Sequence, residues 1–286
     1  MPELPEVEIL CRRLDERTRA RRVEKLELGS ISALKTFDPP LRALEGQAVC
    51  GVHRRGKYVC FELSEDWLVL NLARSGWVKW RDKFSPSSPK PGRGPLALRV
   101  RLDGGDGFDV TEMATEKRLA VWATRIPDLI DGIATLGPEP LSPEFTRERL
   151  AELLAPEKGD LKHALSRQSL IAGVGNAYSD EALHAARLSP FKPAAKLSEG
   201  EITSLYDGLV GVLSEAIERA SELDIAELKD GKRTGMRVHG RTGQPCLVCG
   251  DTVREVSFAT RSLQYCPTCQ TGGKLLADRR LSRLLK

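Results

Sequence analysis

The sequence begins Met-Pro-Glu, and Pro2 and Glu3 are residue types that can perform covalent and acid-base chemistry. A small residue after the initiator normally allows removal of Met1, which would leave Pro2 as a free secondary amine. An α-amino group titrates at about pH 8, so a fraction of it is unprotonated and can attack a sugar carbon to form a Schiff base. The adjacent carboxyl can then move protons to and from the reacting group. The dipeptide alone also fits an ordinary frayed tail, and both interpretations stay open at this point.

Near the other end of the chain, four cysteines form two Cys-x-x-Cys pairs: Cys246 with Cys249, and Cys266 with Cys269. Residues 250 to 265 separate the pairs, and this spacing is typical of a tetrahedral zinc site with four thiolate ligands. Four thiolates leave no open coordination position, so we expect one structural zinc ion. Two disulfides or redox pairs are the alternative. They fit poorly with a chain that lacks a recognisable signal peptide and has three further cysteines.

The zinc-binding end of the chain is also its basic end. From Lys229 onward the sequence has 12 Lys and Arg residues against 4 Asp and Glu residues, so this segment carries +8 while the whole chain carries +4. Alternating residues between the two cysteine pairs predict a β-hairpin over Thr252 to Tyr265, with Arg261 at or near its tip. A basic hairpin of this kind is typical of a module that binds a phosphate backbone. A solvated charged tail is the alternative.

A stretch with one glycine and three prolines, Leu136 to Pro143, indicates a linker between two regions of different pattern. Before it, short alternating runs follow a helix and predict a two-layer β-sandwich. The predicted elements of this region are a helix over Glu8–Arg19 and strands that include Tyr58–Leu63, Trp67–Leu72 and Leu96–Leu102. After the linker the pattern is helical. The predicted helices are Pro143–Leu154, Asp160–Arg167, Asn176–Ala186 and Ser198–Ala220.

Gly173 and Gly175 lie in a turn directly before the predicted helix that starts at Asn176. The glycines allow a ligand to approach the backbone, and a helix N-terminus has unpaired N–H groups. The turn is therefore a candidate phosphate-binding site with Asn176 as a side-chain donor, although most Gly-x-Gly turns only reverse the chain. Ser198 and Glu201 have capping-box spacing, which indicates the start of the last predicted helix.

Composition excludes some classes of protein. At 286 residues with 41% hydrophobic content, the chain is long enough for more than one domain with a core of its own. The sequence has no run of about 18 apolar residues that could form a transmembrane helix. The charged start does not resemble a targeting peptide. We therefore expect a cytoplasmic protein without a membrane partner.

Several motifs, taken in order, resemble those of the formamidopyrimidine-DNA glycosylase and endonuclease VIII family, which are bifunctional base-excision repair enzymes. Residues Pro2–Glu8 resemble the catalytic start of the family, and Arg54–Tyr58 resemble its lysine-bearing turn. Residues Gly173–Tyr178 with Glu181–Leu183 resemble its helix-two-turn-helix, and Tyr265–Gln270 resemble the end of its zinc finger. The resemblance covers essentially the whole chain, and the joint match is far more specific than any single motif.

The resemblance implies catalytic roles for three residues. Pro2 would attack C1′ of the damaged nucleotide, while Glu3 would manage protons during sugar-ring opening and elimination. Lys57 would contact the phosphate near the lesion and help to bias elimination. The base would be lost and the strand cut, which requires the nucleotide to be extruded from the duplex.

The resemblance also implies contacts to the DNA backbone. Lys162 and Asn176 would hold phosphates from the helical domain, and Arg261 would do so from the finger, in keeping with the rule that phosphate contacts position a protein on its duplex. Each of these residues could equally be an ordinary surface residue if it is considered alone. No catalytic role is assigned to the histidines His163, His184 and His239.

The chain departs from the formamidopyrimidine branch of the family where that branch contacts the base stack. The branch has a methionine that fills the vacated stack, and this chain has Arg74, whose guanidinium plane can also stack on bases. An arginine and a phenylalanine that contact the opposite strand are replaced by Lys117 and Leu119. We therefore expect altered recognition of the lesion and of the opposite base rather than altered chemistry.

These observations predict an α+β multidomain protein with three parts. They are an N-terminal β-sandwich catalytic domain with a flanking helix (1–137), a helical helix-two-turn-helix DNA-binding domain (138–228) and a basic segment with a four-cysteine zinc-finger β-hairpin (229–286). Double-stranded DNA with a damaged base or abasic site would be the partner, bound in the cleft between domains by a monomer in a bacterial-type nucleoid. The alternatives are a non-catalytic protein that binds damaged DNA without turnover, and a zinc-bound RNA or ribosome-associated protein.

Overall fold

The computed structural model of the chain describes residues 1–85, 92, 94–258 and 262–276. Packing groups the chain into two compact units. The first contains Met1–Thr135 and Arg219–Gly231, and the second contains Leu136–Glu218 and the chain from Lys232 onward. The predicted linker therefore begins where the first unit ends. In this grouping the finger belongs with the helical region and residues 219–231 belong with the sandwich, and the division into three domains stays a prediction.

The first unit contains two four-stranded antiparallel sheets. Its strands are β1 (Val23–Leu28), β2 (Val49–Arg55), β3 (Tyr58–Leu63), β4 (Trp67–Asn71), β5 (Gly76–Arg81), β6 (Leu96–Leu102), β7 (Gly107–Glu112) and β8 (Ala120–Thr124). One sheet has the order β1-β6-β7-β5 and the other the order β2-β3-β4-β8. Phe61 on one sheet stacks on Phe108 of the other, with ring centroids 5.3 Å apart and planes 12° from parallel. The predicted β-sandwich is confirmed, because the two sheets pack face to face through buried side chains such as these.

A long helix, α1 (Leu4–Thr18), flanks the sandwich. The sequence predicted its start at Glu8, and this was wrong by four residues because Glu3 and Glu6 form a reciprocal capping box that begins the helix earlier. Pro5 fits this first turn, where a missing N–H costs nothing. The buried face includes Leu10 and Leu14, and the helix packs on β2 and β3. Burial of each such leucine contributes about 2 kcal/mol.

The remaining helices and the hairpin follow the sandwich along the chain. They are α2 (Asp131–Ala134), α3 (Arg147–Leu154), α4 (Leu161–Ser166), α5 (Asn176–Ala185), α6 (Glu199–Ser221), α7 (Leu228–Gly231), the strands β9 (Arg254–Ser257) and β10 (Ser262–Tyr265), and α8 (Pro267–Thr271). The predicted hairpin is confirmed, since β9 and β10 pair antiparallel. The capping box at α6 is also confirmed: Ser198 donates its N–H to Glu201 Oε2 at 3.0 Å, and the Glu201 N–H reaches Ser198 Oγ at 3.4 Å.

Residues 219–231, which include the last residues of α6, pack on the sandwich. Trp77 donates its indole N–H to the carbonyl of Ile225 at 2.9 Å, and Arg17 of α1 pairs with Asp224 at 2.7 Å. The sequence predicted a surface loop over Ser85–Pro95, and most of that stretch lies outside the described residues. Among the residues that the structure describes, no helix has both the length and the hydrophobicity of a transmembrane segment.

Candidate active site and nucleic-acid interface

Pro2 and Glu3 lie at the N-terminus of α1. Glu3 is the N-cap residue and is 2% exposed, while Pro2 is half-buried. The Glu3 N–H donates to Glu6 Oε2 at 2.8 Å, which fixes the backbone that carries both candidate residues. A carboxylate at this position lies near the positive end of the helix dipole. Helix formation thus holds an acid-base group directly beside the candidate nucleophile.

Lys57 lies in the tight turn between β2 and β3, within the same compact unit as Pro2. Gly56 adopts φ +55° at the first central position of this two-residue turn, a conformation that glycine adopts without strain. Arg54 donates its Nε–H to Glu8 of α1 at 2.9 Å and an Nη1–H to the carbonyl of Gly56 at 3.1 Å. This arginine therefore links the turn that carries Lys57 to the helix that begins after Pro2.

Arg74 is exposed in the short loop between β4 and β5. The loop is tight: Ala73 adopts φ +49°, and its N–H donates to Asn71 Oδ1 at 3.0 Å. The Gly76 N–H donates to the carbonyl of Leu72 at 2.9 Å, and a Cβ at Gly76 would lie 2.3 Å from that oxygen. The sequence therefore presents Arg74 on a well-defined loop at one end of the sandwich.

The neighbouring loop between β7 and β8 contains Lys117 and Leu119. It lies next to the Arg74 loop because β5 pairs with β7 and β4 pairs with β8. Leu119 is 2% exposed, and its N–H donates to Glu112 Oε2 at 3.0 Å. Lys117 donates to the carbonyl of Glu112. Leu119 is therefore a core residue here, whereas Met113 of the same loop is 66% exposed.

In the second unit, a turn positions Asn176 at the first residue of α5. Gly173 adopts φ +79°, its N–H donates to Gln168 Oε1 at 3.0 Å, and Gln168 Nε2 donates to the carbonyl of Val174 at 2.6 Å. The amide of Asn176 donates to the carbonyl of Ser262 on β10 at 2.8 Å. The turn and the finger hairpin thus meet at Asn176, which lines a small cavity of about 40 Å³ between them.

Lys162 is 5% exposed, and its ammonium group makes hydrogen bonds inside the protein. Nζ donates to the carbonyl of Asn176 at 2.5 Å, to Ser179 Oγ at 2.8 Å and to Asp180 Oδ1 at 2.6 Å. The other carboxylate oxygen of Asp180 lies 2.7 Å from His239 Nδ1. An ammonium group has three donors, so these bonds use the number available. The geometry supports a role for Lys162 in holding the start of α5 in place.

Arg261, the predicted phosphate contact of the finger, lies outside the described residues.

The sulfur atoms of the four predicted zinc ligands lie close together. Cys246 Sγ lies 3.9 Å from Cys269 Sγ, and Cys249 Sγ lies 3.4 Å from Cys266 Sγ. Four sulfurs around one tetrahedral zinc ion are separated by about 3.8 Å, because each Zn–S bond is about 2.3 Å. The observed distances fit this geometry and are too long for disulfide bonds of about 2.0 Å. The residues therefore fit one structural zinc ion, which would cross-link the two Cys-x-x-Cys pairs.

The thiols of the zinc site have altered acidity. Burial raises the pKa of Cys266 to about 11 and raises the pKa of Cys269 further. A hydrogen bond from the Asp251 backbone lowers the pKa of the exposed Cys249. Because a buried thiolate lacks water, a bound cation is needed to stabilise that charge.

Sequence reasoning missed two residues on α5 that contact the finger or the segment leading to it. Glu181 is 3% exposed, and its carboxylate accepts the backbone N–H groups of residues 237, 238 and 239 at 2.8 to 2.9 Å. His184 places Nε2 at 3.3 Å from Cys246 Sγ. Burial, together with the nearby positive charges of Arg237 and Arg187, lowers the pKa of His184 to about 4, so its imidazole is neutral at pH 7. No local signal predicts the histidine contact, which joins residues 62 positions apart.

A cavity of about 620 Å³ lies between β5 and residues 224–230 in the first unit. Its walls include Trp77, Trp80 and Lys79 of β5 and the exposed Met113. Pro2, Glu3 and Lys57 are not among its described lining residues. This cavity therefore provides no support for a catalytic role of those three residues.

Three family models match the chain. They are the formamidopyrimidine-DNA glycosylase N-terminal domain over residues 1–118, the formamidopyrimidine-DNA glycosylase H2TH domain over residues 136–226, and a zinc finger found in FPG and IleRS over residues 243–272. All four cysteines of the predicted zinc site lie within the third match.

The chain is also similar to curated proteins and solved structures. A formamidopyrimidine-DNA glycosylase of Symbiobacterium thermophilum is 36% identical over 94% of this chain and 89% of its own length. An uncharacterized formamidopyrimidine-DNA glycosylase-like protein of Mycobacterium tuberculosis is 58% identical over 53% of this chain and 94% of its own length. The structure of MutM (FPG) from Thermus thermophilus has 33% identity and a TM-score of 0.80, and it covers 96% of this chain and 100% of its own. A Lactococcus lactis enzyme bound to abasic-site DNA has 26% identity and a TM-score of 0.80, over 94% of this chain and 99% of its own.

Proposed function

Because the chain belongs to the formamidopyrimidine-DNA glycosylase family, we propose that it removes damaged bases from double-stranded DNA and cuts the strand at the resulting abasic site. The proposal rests on one observation above the others: Glu3 is a buried N-cap residue that fixes Pro2 directly before α1. Relatives named as formamidopyrimidine-DNA glycosylases, and a neighbour bound to abasic-site DNA, support the same activity.

After removal of Met1, the Pro2 nitrogen forms a bond to C1′ of the damaged nucleotide, and the bond from C1′ to the base breaks. The base leaves with the bonding electron pair and takes up the proton that the Pro2 nitrogen loses. A proton delivered through Glu3 to the ring oxygen opens the sugar and gives a cationic iminium. The iminium makes the protons on C2′ more acidic. Loss of one of these protons then expels the 3′ phosphate in β-elimination. A second elimination then releases the 5′ phosphate. Both steps need an amine nucleophile and an acid-base group held together, as at the start of α1.

DNA must be held while one nucleotide is extruded. We assign backbone contacts to Lys57 in the β2–β3 turn, to Asn176 at the start of α5 and to Arg261 of the finger. One hydrogen of the Asn176 amide is used by Ser262, which leaves the second to be offered to a phosphate. Arg74, exposed on its loop, would stack on the bases beside the vacated position.

For Lys162 the contacts support a positioning role, in place of the direct phosphate contact that the sequence suggested. Its hydrogen bond to the carbonyl of Asn176 fixes the residue that would bind the phosphate. The zinc ion would act in the same indirect way, by holding the hairpin that carries Arg261. We further propose that the protein acts as a monomer on nucleoid DNA, which light scattering of the protein with and without an abasic duplex would test.

Borohydride trapping tests the chemistry, because borohydride reduces an iminium to a stable amine. We expect a covalent adduct between abasic-site DNA and a protein whose intact mass shows that Met1 is absent. Glu3→Gln should bind the same DNA while strand cleavage falls by about 100-fold, within the range for loss of a general acid-base group. A processed protein that forms no adduct would contradict the proposal. A wild-type protein that binds without cutting, like its Glu3→Gln variant, would favour a non-catalytic damaged-DNA-binding protein.

A further inference from the structure

His184 of α5 lies against the sulfurs of the zinc site, within the same compact unit. It is 3% exposed, and its Nε2 is 3.3 Å from Cys246 Sγ. The ligand atoms of His184, Cys246, Cys266 and Cys269 all lie within 4.8 Å of one another. Five side chains, including Cys249, therefore approach a site that needs only four ligands.

The distance from His184 to Cys246 fits two different interactions. A nitrogen and a sulfur bound to one tetrahedral zinc ion lie about 3.6 Å apart, because Zn–N and Zn–S bonds are about 2.1 and 2.3 Å. A similar distance also fits an N–H that donates to a thiolate. Distance alone does not separate a ligand from a hydrogen-bond donor.

The other ring nitrogen separates these two possibilities. Nδ1 of His184 is buried and has no hydrogen-bond partner among the described residues. If Nε2 bound zinc, Nδ1 would carry the proton, and a buried N–H without an acceptor is costly. If Nε2 carries the proton and donates it to Cys246, Nδ1 carries a lone pair and no proton. A buried lone pair without a donor then replaces a buried N–H without an acceptor. Four thiolates with His184 as donor are therefore the favoured arrangement.

The four cysteines differ in their protection from solvent. Cys246 and Cys266 are buried and Cys269 is half-buried, whereas Cys249 is exposed. Cys249 is therefore the ligand most accessible to chemical modification. The structure thus combines one accessible ligand with a buried imidazole beside the other three.

We propose that His184 is a reserve zinc ligand. While four thiolates hold the ion, Nε2–H donates to Cys246. When an alkylating agent caps the thiolate of Cys249, a sulfur–carbon bond forms and the leaving group of the agent carries away the negative charge. The bond from zinc to that sulfur then breaks, and a bond from zinc to the neutral Nε2 forms. The imidazole proton moves from Nε2 to Nδ1 by exchange with solvent, so charge and protons balance. The buried Nδ1–H makes this second arrangement the weaker of the two.

Four versions of the full-length protein test the proposal: wild type, Cys249→Ser, His184→Phe and the double variant. Two controls change a matching residue away from the site, namely Cys50→Ser for an exposed thiol and His163→Phe for an exposed histidine. Zinc per chain is measured after dialysis against a competing chelator. The zinc is then replaced by cobalt, because the absorption bands of bound cobalt report the number of sulfur and nitrogen ligands.

We expect Cys249→Ser to keep one metal ion per chain and to give a cobalt spectrum of three sulfurs and one nitrogen. The double variant should lose the metal. His184→Phe should keep four sulfurs but bind zinc roughly 10-fold more weakly, as expected when a residue that supports a ligand is removed. Both controls should match wild type. The proposal is overturned if Cys249→Ser loses zinc as readily as the double variant, or if its cobalt spectrum does not change when His184 is also replaced.

If Cys249→Ser does not fold, wild-type protein loaded with cadmium-113 still tests the donor half of the proposal. Nitrogen-15 NMR should show the proton of His184 on Nε2 and a coupling between that proton and cadmium through Cys246. A proton on Nδ1, or no coupling, would overturn the proposal. None of these measurements depends on glycosylase activity, so failure of one proposal leaves the other standing.

Discussion

Replacement of Lys162 by methionine separates a structural role from a DNA contact. Methionine keeps an unbranched side chain of similar length but removes the ammonium group that donates to Asp180 at 2.6 Å. The side chains of the pair are 7% and 0% exposed. Loss of one partner from a buried pair typically costs about 3 to 5 kcal/mol, because it leaves an uncompensated charge in the interior. His239 still reaches the other carboxylate oxygen, so we expect the lower half of that range.

The assay is urea unfolding at pH 7 with zinc in excess, followed by circular dichroism. Lys192→Met is the matched control, because Lys192 pairs with Glu201 at 2.5 Å in the same unit but the two side chains are 29% and 31% exposed. A pair that keeps this much contact with solvent contributes about 0 to 1 kcal/mol. The double variant with Asp180→Asn should recover part of the lost stability, because it also removes the unpaired charge.

DNA affinity measured against salt completes the test. A lysine that contacts a phosphate contributes about 0.9 to the slope of log affinity against log salt concentration. We expect Lys162→Met to leave this slope unchanged, because the ammonium group is already used inside the protein. A variant as stable as Lys192→Met, or a slope reduced by nearly one, would refute the structural role.

Two further predictions concern the loop at the end of the sandwich and the cysteines. Arg74→Ala should change the free energy of unfolding by less than about 0.5 kcal/mol but weaken binding of an abasic duplex about 10-fold through lost stacking. Equal weakening by Lys79→Ala, which removes an exposed charge from β5, would argue against stacking. In zinc-loaded protein at pH 8, a thiol reagent should label Cys50 first and four more thiols after a chelator is added. Burial raises the pKa of Cys60 to about 12 and that of Cys11 well above its usual value, so early labelling of either would contradict their buried positions.

The cysteine cluster that fits a zinc ion, the hairpin and most helices could be predicted from sequence because their signals are local. A Cys-x-x-Cys spacing, an alternating strand and a capping box each depend on residues within a few positions of one another. The short apolar and alternating runs of the sequence also predicted β3 and β6 with the same first and last residues as in the structure. The start of α1 lies four residues before the predicted one, because its N-cap is Glu3 and not the Ser, Thr, Asp or Asn that usually marks a helix start.

Which charged and polar side chains face solvent depends on tertiary packing and could not be predicted from local sequence patterns. The family resemblance implies a phosphate contact for Lys162, and the structure shows its buried ammonium group paired with Asp180 of α5. Sequence reasoning assigned His184 no role, although α5 places the imidazole beside a sulfur 62 residues away. The local sequence around a lysine or a histidine has the same pattern whether the side chain is exposed to solvent or buried. The environment of the side chain depends on segments that are distant in sequence, and the energy of a buried charge depends on those neighbours.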